Sequence, residues 1–274
     1  TRMAQDIWPC LILHRMDQEP AKVTELDPER PRRTRGIYLL PNLFTTAALF
    51  AGFYAVLAAM NNQFGKAAIA IFLAMILDGL DGRVARMTHT QTAFGAEYDS
   101  LSDMVAFGLA PSLVIYEWGL STLGRLGWLA AFIYTAGAAL RLARFNSQLS
   151  TADKRFFTGL PSPSAAAIVA AFVWVAVDNG LTGADLAWPA MILTAGAGLL
   201  MVSNVWYHSF KQIDFKGKVP FVVIVVVMLA FAVIVSEPPL VLFALFFIYT
   251  LSGPFLSLKR LIDKRRRRTS ASPP

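Results

Sequence analysis

From residue 39 onward the chain is a series of long apolar runs separated by short polar breaks, and none of the runs shows the strict alternation of a half-buried strand. Eight such runs stand out, at 39–60, 64–84, 96–118, 126–145, 162–177, 187–207, 219–235 and 239–258. Each is close to the length a helix needs to cross about 30 Å of hydrocarbon. Backbone polar groups in hydrocarbon have to be satisfied within their own segment, and the period-2 pattern of a membrane barrel is missing, so the runs predict helices. The fold class expected is therefore all-α, a polytopic membrane helical bundle of about eight transmembrane helices. It divides into an N-terminal tail at 1–36, a transmembrane domain at 37–260 and a basic C-terminal tail at 261–274.

Composition agrees with this setting: 55% of residues are hydrophobic, only 16% are charged, and the mean hydropathy is +0.51. The single cysteine, Cys10, excludes an intramolecular disulfide framework and any thiolate metal cluster. A net charge of +7 would suit a nucleic-acid binder if it were spread over a soluble surface. Here the basic residues gather beside apolar runs, which points to anionic headgroups and membrane topology, and no nucleic-acid partner is expected. Basic clusters at 30–35, 141–155, 211–218 and 259–268 fall on one side of the eight-helix arrangement. The other side carries Lys66 and Arg125 with Glu117, Asp178, Asp185 and Glu237, so both termini are expected in the cytoplasm. The run IWPCLIL near the start is too short to span and has no small-residue cleavage site after it, so no signal peptide is expected. The chain does not begin with methionine, and Met3 and Met16 are the candidates for a natural start.

Against this apolar background four carboxylates are conspicuous. The stretch DGLDGRVARMTHTQTAFGAEYDSLSD carries Asp78 and Asp81 at i and i+3 before a polar break, and Asp99 and Asp103 at i and i+4 after it. On helices these spacings place each pair on one face. Charges about 4 Å apart repel by roughly 4 kcal/mol at an effective dielectric near 20, so four clustered carboxylates need protons or cations. Two divalent cations would balance them, and oxygen-only ligation suits Mg²⁺ or Mn²⁺ better than zinc. Such a pair of ions is a known clamp for phosphoryl transfer. Gly82 and Gly95 remove side chains where a bulky group would approach, and Arg86 offers a bidentate fork for phosphate. A metal-bound diphosphate is the ligand these residues suit.

Asp78, Asp81, Gly82, Ala85, Arg86, Gly95, Asp99 and Asp103 together spell DxxDGxxAR, eight residues, then GxxxDxxxD. This resembles the signature of the CDP-alcohol phosphatidyltransferase family with every interval intact. PNLFT at 41–45 is similar to the family's first-helix motif, while RLARFN at 141–146 and FFTGLPSPSAA at 156–166 resemble its phosphatidylserine synthase branch. The resemblance extends over 39–258. It implies attack of the L-serine hydroxyl on the lipid-linked phosphorus of CDP-diacylglycerol, giving phosphatidylserine and CMP. It also implies that Asp78, Asp81 and Asp99 hold one ion, that Asp78, Asp99 and Asp103 surround a second, and that Asp103 is the candidate general base. Gly82, Ala85, Arg86 and Gly95 would line the cytidine diphosphate site, with Asn42 and Thr45 approaching from the first helix. The resemblance also suggests a homodimer, while the charge placement puts the site on the cytoplasmic side, so the setting expected is a bacterial inner membrane with membrane lipids as partners.

An acceptor that carries a carboxylate needs cations away from the metals. Arg141 and Arg144 lie one turn apart near the end of the fourth predicted helix, with Asn146, Lys154 and Arg155 close by in sequence. Which arginine meets serine and which meets phosphate is open at this level. Gly196 and Gly198 read as sites of close helix packing, and Trp118 and Tyr207 as interface anchors. Two alternatives remain: the same family with glycerol 3-phosphate, inositol phosphate or choline as acceptor, and a cation transporter that uses the carboxylates as a pathway.

Overall fold

The computed structural model describes residues 39–88, 92–148, 156–208 and 221–270. The expected N-terminal tail, Lys154, Arg155 and the basic run at 211–218 lie outside these residues. The helices are α1 (Leu39–Met60), α2 (Phe64–Thr88), α3 (Ala93–Asp103), α4 (Ala110–Trp118), α5 (Arg125–Gln148), α6 (Ser162–Asp178), α7 (Ala187–Val202), α8 (Phe221–Ser236) and α9 (Pro238–Ser270). A π-helical turn, Met104–Leu109, joins α3 to α4 without a break, and a 3₁₀ turn, Leu120–Leu123, follows α4. Two three-residue strands, β1 (Phe156–Thr158) and β2 (Trp206–His208), form an antiparallel ribbon with Phe157 opposite Tyr207.

Among the described residues three helical stretches, Asn42–Met60, Arg125–Ser147 and Pro238–Ser257, are long and apolar enough to cross a membrane, and Ser162–Asp178 and Ala187–Val202 are shorter apolar helices. Large apolar side chains such as Phe50, Phe53, Phe132, Ile192 and Ile248 are exposed along these helices, as a protein solvated by lipid requires. The architecture is an all-helical membrane bundle carrying one small ribbon.

The α1–α2 hairpin closes at Asn61–Gln63, where Asn62 takes a φ of 57°, a left-handed conformation that asparagine tolerates better than most residues. The seam between these helices is built from alanines: Ala48, Ala51, Ala55 and Ala58 are buried on α1, and Ala67, Ala70 and Ala74 on α2. Small side chains let the two backbones approach closely. The π turn crosses α1 at Gly52, where a Cβ would stand 2.7 Å from the Ala106 Cα. At the same turn Tyr134 of α5 donates to the Phe107 carbonyl at 2.9 Å, with both side chains fully buried. α6 lies in the middle of the bundle, its Ala165–Ala171 stretch almost completely buried, and packs on α2, α4, α7 and α9.

Several boundaries differ from the hydropathy reading. α2 continues past 84 to Thr88, because Arg83 and Arg86 lower hydropathy without breaking a helix. The α3 helix begins at Ala93, earlier than expected, with Thr92 capping it by accepting from the Gly95 N–H at 3.0 Å. α7 ends at Val202, short of 207, since Ser203 is extended and the chain turns into β2. α9 runs on through the basic stretch to Ser270. Trp118 and Tyr207 are not surface anchors: Tyr207 is fully buried and donates to the Thr250 carbonyl at 3.0 Å, and Trp118 packs edge-on against Phe172. Of the two glycines read as packing sites, Gly198 meets the Tyr134 backbone, whereas a Cβ at Gly196 would meet nothing within 4 Å.

Candidate active site

The C-terminal half of α2 and the whole of α3 place the acidic residues. Asp78 and Asp81 are one turn apart on α2, and Asp99 and Asp103 one turn apart on α3. Packing brings Asp78, Asp99 and Asp103 together so that one carboxylate oxygen from each lies within 4.8 Å of the others. The Asp103 carboxyl is in hydrogen-bonding range of Asp78 and in electrostatic contact with Asp99 and Asp81. Charges at 4.8 Å repel by about 3.5 kcal/mol per pair at an effective dielectric near 20, so the cluster calls for a bound counter-charge. The Asp99 Oδ1 atom is buried and has no hydrogen-bond partner among the described residues. An orphaned carboxylate oxygen inside a cluster of oxygen-only donors fits a hard divalent cation.

Asp81 is held differently. It is 5% exposed, and its Oδ2 accepts from Thr45 Oγ1 at 2.8 Å. The Thr45 carbonyl in turn accepts from Ser102 Oγ at 3.1 Å, so a buried chain of hydrogen bonds links α3 to α1 and α1 to α2. Thr45 thus sits beneath a carboxylate, a position the first-helix motif did not reveal. Ser102, the residue before Asp103, carried no signal of its own, because it falls at an unspecified position between the two acids of the motif.

Asn42 and Gly95 lie together, with Asn42 Oδ1 3.5 Å from where a Gly95 Cβ would stand. Arg86 folds back along α2, its terminal nitrogen 3.7 Å from the corresponding position of Gly82. Ala85 is half-buried on the same helix, and Arg86 is exposed. Tyr98 of α3 shares a hydrogen bond of 2.9 Å with Thr46 and stacks on Phe94. An apolar groove of about 390 Å³, lined by Phe50, Tyr54, Ile69, Leu73 and Leu77 among others, follows the α1–α2 seam. It reaches Leu77, the neighbour of Asp78.

The two arginines of α5 have separate surroundings. Arg141 donates to Ser162 Oγ at 2.7 Å at the start of α6, and its guanidinium is in electrostatic contact with Asp103 and Tyr249. Its Nε is buried without a partner among the described residues. Arg144 instead reaches Asn204 Oδ1 at 2.7 Å and the Val202 carbonyl at 3.5 Å, which ties α5 to the end of α7. Asn146 donates to Ser100 Oγ at 3.0 Å, beside Asp99. Arg141 and Asn146 therefore adjoin the acidic cluster, while Arg144 is turned toward the α7 terminus.

Comparison with known proteins bears on the same residues. The family model for CDP-alcohol phosphatidyltransferase matches residues 38–202. A Helicobacter pylori protein named CDP-diacylglycerol–serine O-phosphatidyltransferase is 37% identical over 84% of this chain and 97% of its own length. Proteins of the same name from Mycobacterium leprae and Bacillus subtilis are 33% and 32% identical, covering 82% and 63% of this chain and 77% and 92% of their own lengths.

Proposed function

The chain belongs to the CDP-alcohol phosphatidyltransferase family, and from that membership we propose that it is a membrane-embedded CDP-diacylglycerol–serine O-phosphatidyltransferase, which joins L-serine to a phosphatidyl group and releases CMP. The observation that carries this reading is the convergence of Asp78, Asp99 and Asp103 from two helices within the stretch that matches the family. In the reaction the serine hydroxyl oxygen forms a bond to the phosphorus bearing diacylglycerol. The bond from that phosphorus to the CMP oxygen breaks, and the hydroxyl proton passes to a carboxylate.

Asp103 is the base in this proposal, since it is the carboxylate of the cluster that also interacts electrostatically with the Arg141 guanidinium. Two divalent cations, Mg²⁺ or Mn²⁺, held by Asp78, Asp81, Asp99 and Asp103, would neutralise the diphosphate and the departing CMP. Thr45 holds the Asp81 carboxylate in place, and its contribution to nucleotide binding passes through that hydrogen bond. Arg86 provides the fork for the diphosphate, and Gly82, Ala85, Gly95 and Asn42 shape the space for the nucleotide. The groove along α1 and α2 suits one acyl chain of the lipid substrate. Arg141 takes the serine carboxylate, with Asn146 held at Ser100 beside the cluster, Lys154 and Arg155 as further candidates by their place in the sequence, and Arg144 bracing the helix from which it projects.

The proposal extends to a homodimer of eight-span subunits in a bacterial inner membrane, with termini and site on the cytoplasmic side as the basic clusters suggest. The test is an acceptor screen on detergent-solubilised protein with CDP-diacylglycerol and Mg²⁺ or Mn²⁺, offering serine, glycerol 3-phosphate, inositol phosphate and choline. Phosphatidylserine and CMP in equal amounts, lost in Asp103→Asn, are expected. Product with another acceptor would keep the chemistry and discard serine, and absence of CMP release would overturn the transferase reading.

A further inference from the structure

Tyr249 lies on α9, beyond the residues that match the family model, and no motif draws attention to it. The fold nevertheless delivers it to the acceptor side of the cluster. α9 packs along α6, and the buried Tyr207 of the ribbon donates to the Thr250 carbonyl at 3.0 Å. The Tyr207 and Tyr249 ring centroids are 5.5 Å apart. At Gly253, one turn further along, α9 lies so close to the Tyr207 ring that a Cβ would enter it. This packing seats α9 against the ribbon, and the Tyr249 phenol is near enough to the Arg141 guanidinium for the two to interact electrostatically. Arg141 is itself positioned by Ser162 and faces Asp103. Arg141 Nε is buried without a hydrogen-bond partner among the described residues.

We propose that Tyr249 is an acceptor-specificity residue whose phenol, together with the Arg141 guanidinium, binds the carboxylate of a small hydroxy amino acid while the acceptor's hydroxyl is presented to Asp103. The inference rests on the transferase reading above and adds the group that distinguishes a carboxylate-bearing acceptor from a neutral one. A charged planar donor set by itself would bind phosphate and carboxylate alike. A phenol fixed by helix packing adds a single directed donor to that set and narrows the space around it. This also accounts for an acceptor preference lying outside the shared core: α9 is separate from the helices that hold the metal-binding and nucleotide-binding residues.

The test measures the Michaelis constants for serine and CDP-diacylglycerol, and the ratio of kcat/KM for serine over ethanolamine, in wild type, Tyr249→Phe and Tyr249→Trp. Michaelis constants and ratios do not depend on the fraction of folded enzyme, so they stay interpretable if a variant is less stable. Loss of a hydrogen bond to a charged group predicts a rise of about tenfold or more in the serine constant for Tyr249→Phe, and a similar narrowing of the serine preference. The CDP-diacylglycerol constant should stay within about twofold. An unchanged serine constant and an unchanged ratio in both variants would overturn the role of Tyr249 while leaving the transferase reading intact. A wild-type enzyme that releases CMP only with acceptors other than serine would overturn both.

Discussion

Thr45→Val is an informative perturbation because it removes one hydroxyl and little volume. In the folded protein that hydroxyl donates to Asp81 Oδ2 at 2.8 Å, with Thr45 4% and Asp81 5% exposed, so water does not readily replace it. A hydrogen bond to a charged group is worth about 1.5–3 kcal/mol, equivalent to roughly a 10- to 150-fold change in a binding constant. Partners that orient a metal-binding side chain typically contribute about 10–100-fold to metal affinity, a similar magnitude. The assay is initial rate against Mg²⁺ or Mn²⁺ concentration at saturating serine and CDP-diacylglycerol, with Thr45→Ser as the control that keeps the hydroxyl. The half-saturating metal concentration is expected to rise by about 10–100-fold in the valine variant and by far less in the serine variant. Most of kcat should return at high metal, because Asp78, Asp99 and Asp103 remain converged. An unchanged metal dependence, accompanied by a higher Michaelis constant for CDP-diacylglycerol, would refute this reasoning and make Thr45 a direct nucleotide contact.

The two arginines of α5 should separate cleanly. Arg141→Ala is expected to raise the Michaelis constant for serine, whereas Arg144→Ala should chiefly lower the melting temperature in detergent by releasing Asn204 and Val202. Equal effects of both on serine would contradict this division. Gly52→Ala forces a methyl group to within 2.7 Å of the Ala106 Cα, which only backbone movement relieves. A loss of about 1–3 kcal/mol in stability is expected, read as reduced thermal stability together with lower activity, because the displaced π turn follows Asp103 directly. Stability unchanged from wild type would show that the helices can separate at this crossing at no cost.

The helices and the acids were legible for different reasons. Apolar run length located α1 at 39–60 and α6 from 162, since membrane insertion and helix formation both depend on contiguous residues. The same measure failed where hydropathy and backbone conformation diverge. Arg83 and Arg86 did not end α2, and the apolar residues after Val202 entered a strand. Tyr207 looked like an interface anchor because an aromatic at the end of an apolar run has that signature. Its burial depends on α9, a helix that follows it at a distance of 43 residues in the Tyr207–Thr250 hydrogen bond. The carboxylate motif was visible because the spacings that matter, i+3 and i+4, lie within single helices.

What the amino-acid sequence by itself determined is the membrane setting, the helical class and the identity of the four aspartates, since run length, charge placement and helical spacing are properties of neighbouring residues. Tertiary structure alone decided that three of those aspartates converge while Asp81 is held by Thr45, that Arg141 interacts with Asp103 while Arg144 reaches the α7 terminus, and that Tyr249 of α9 comes near Arg141. The Thr45–Asp81 and Ser102–Thr45 hydrogen bonds join residues 36 and 57 positions apart. Such contacts arise from the way alanine seams and glycine crossings allow whole helices to approach one another, and from the rotamers that packing then leaves available.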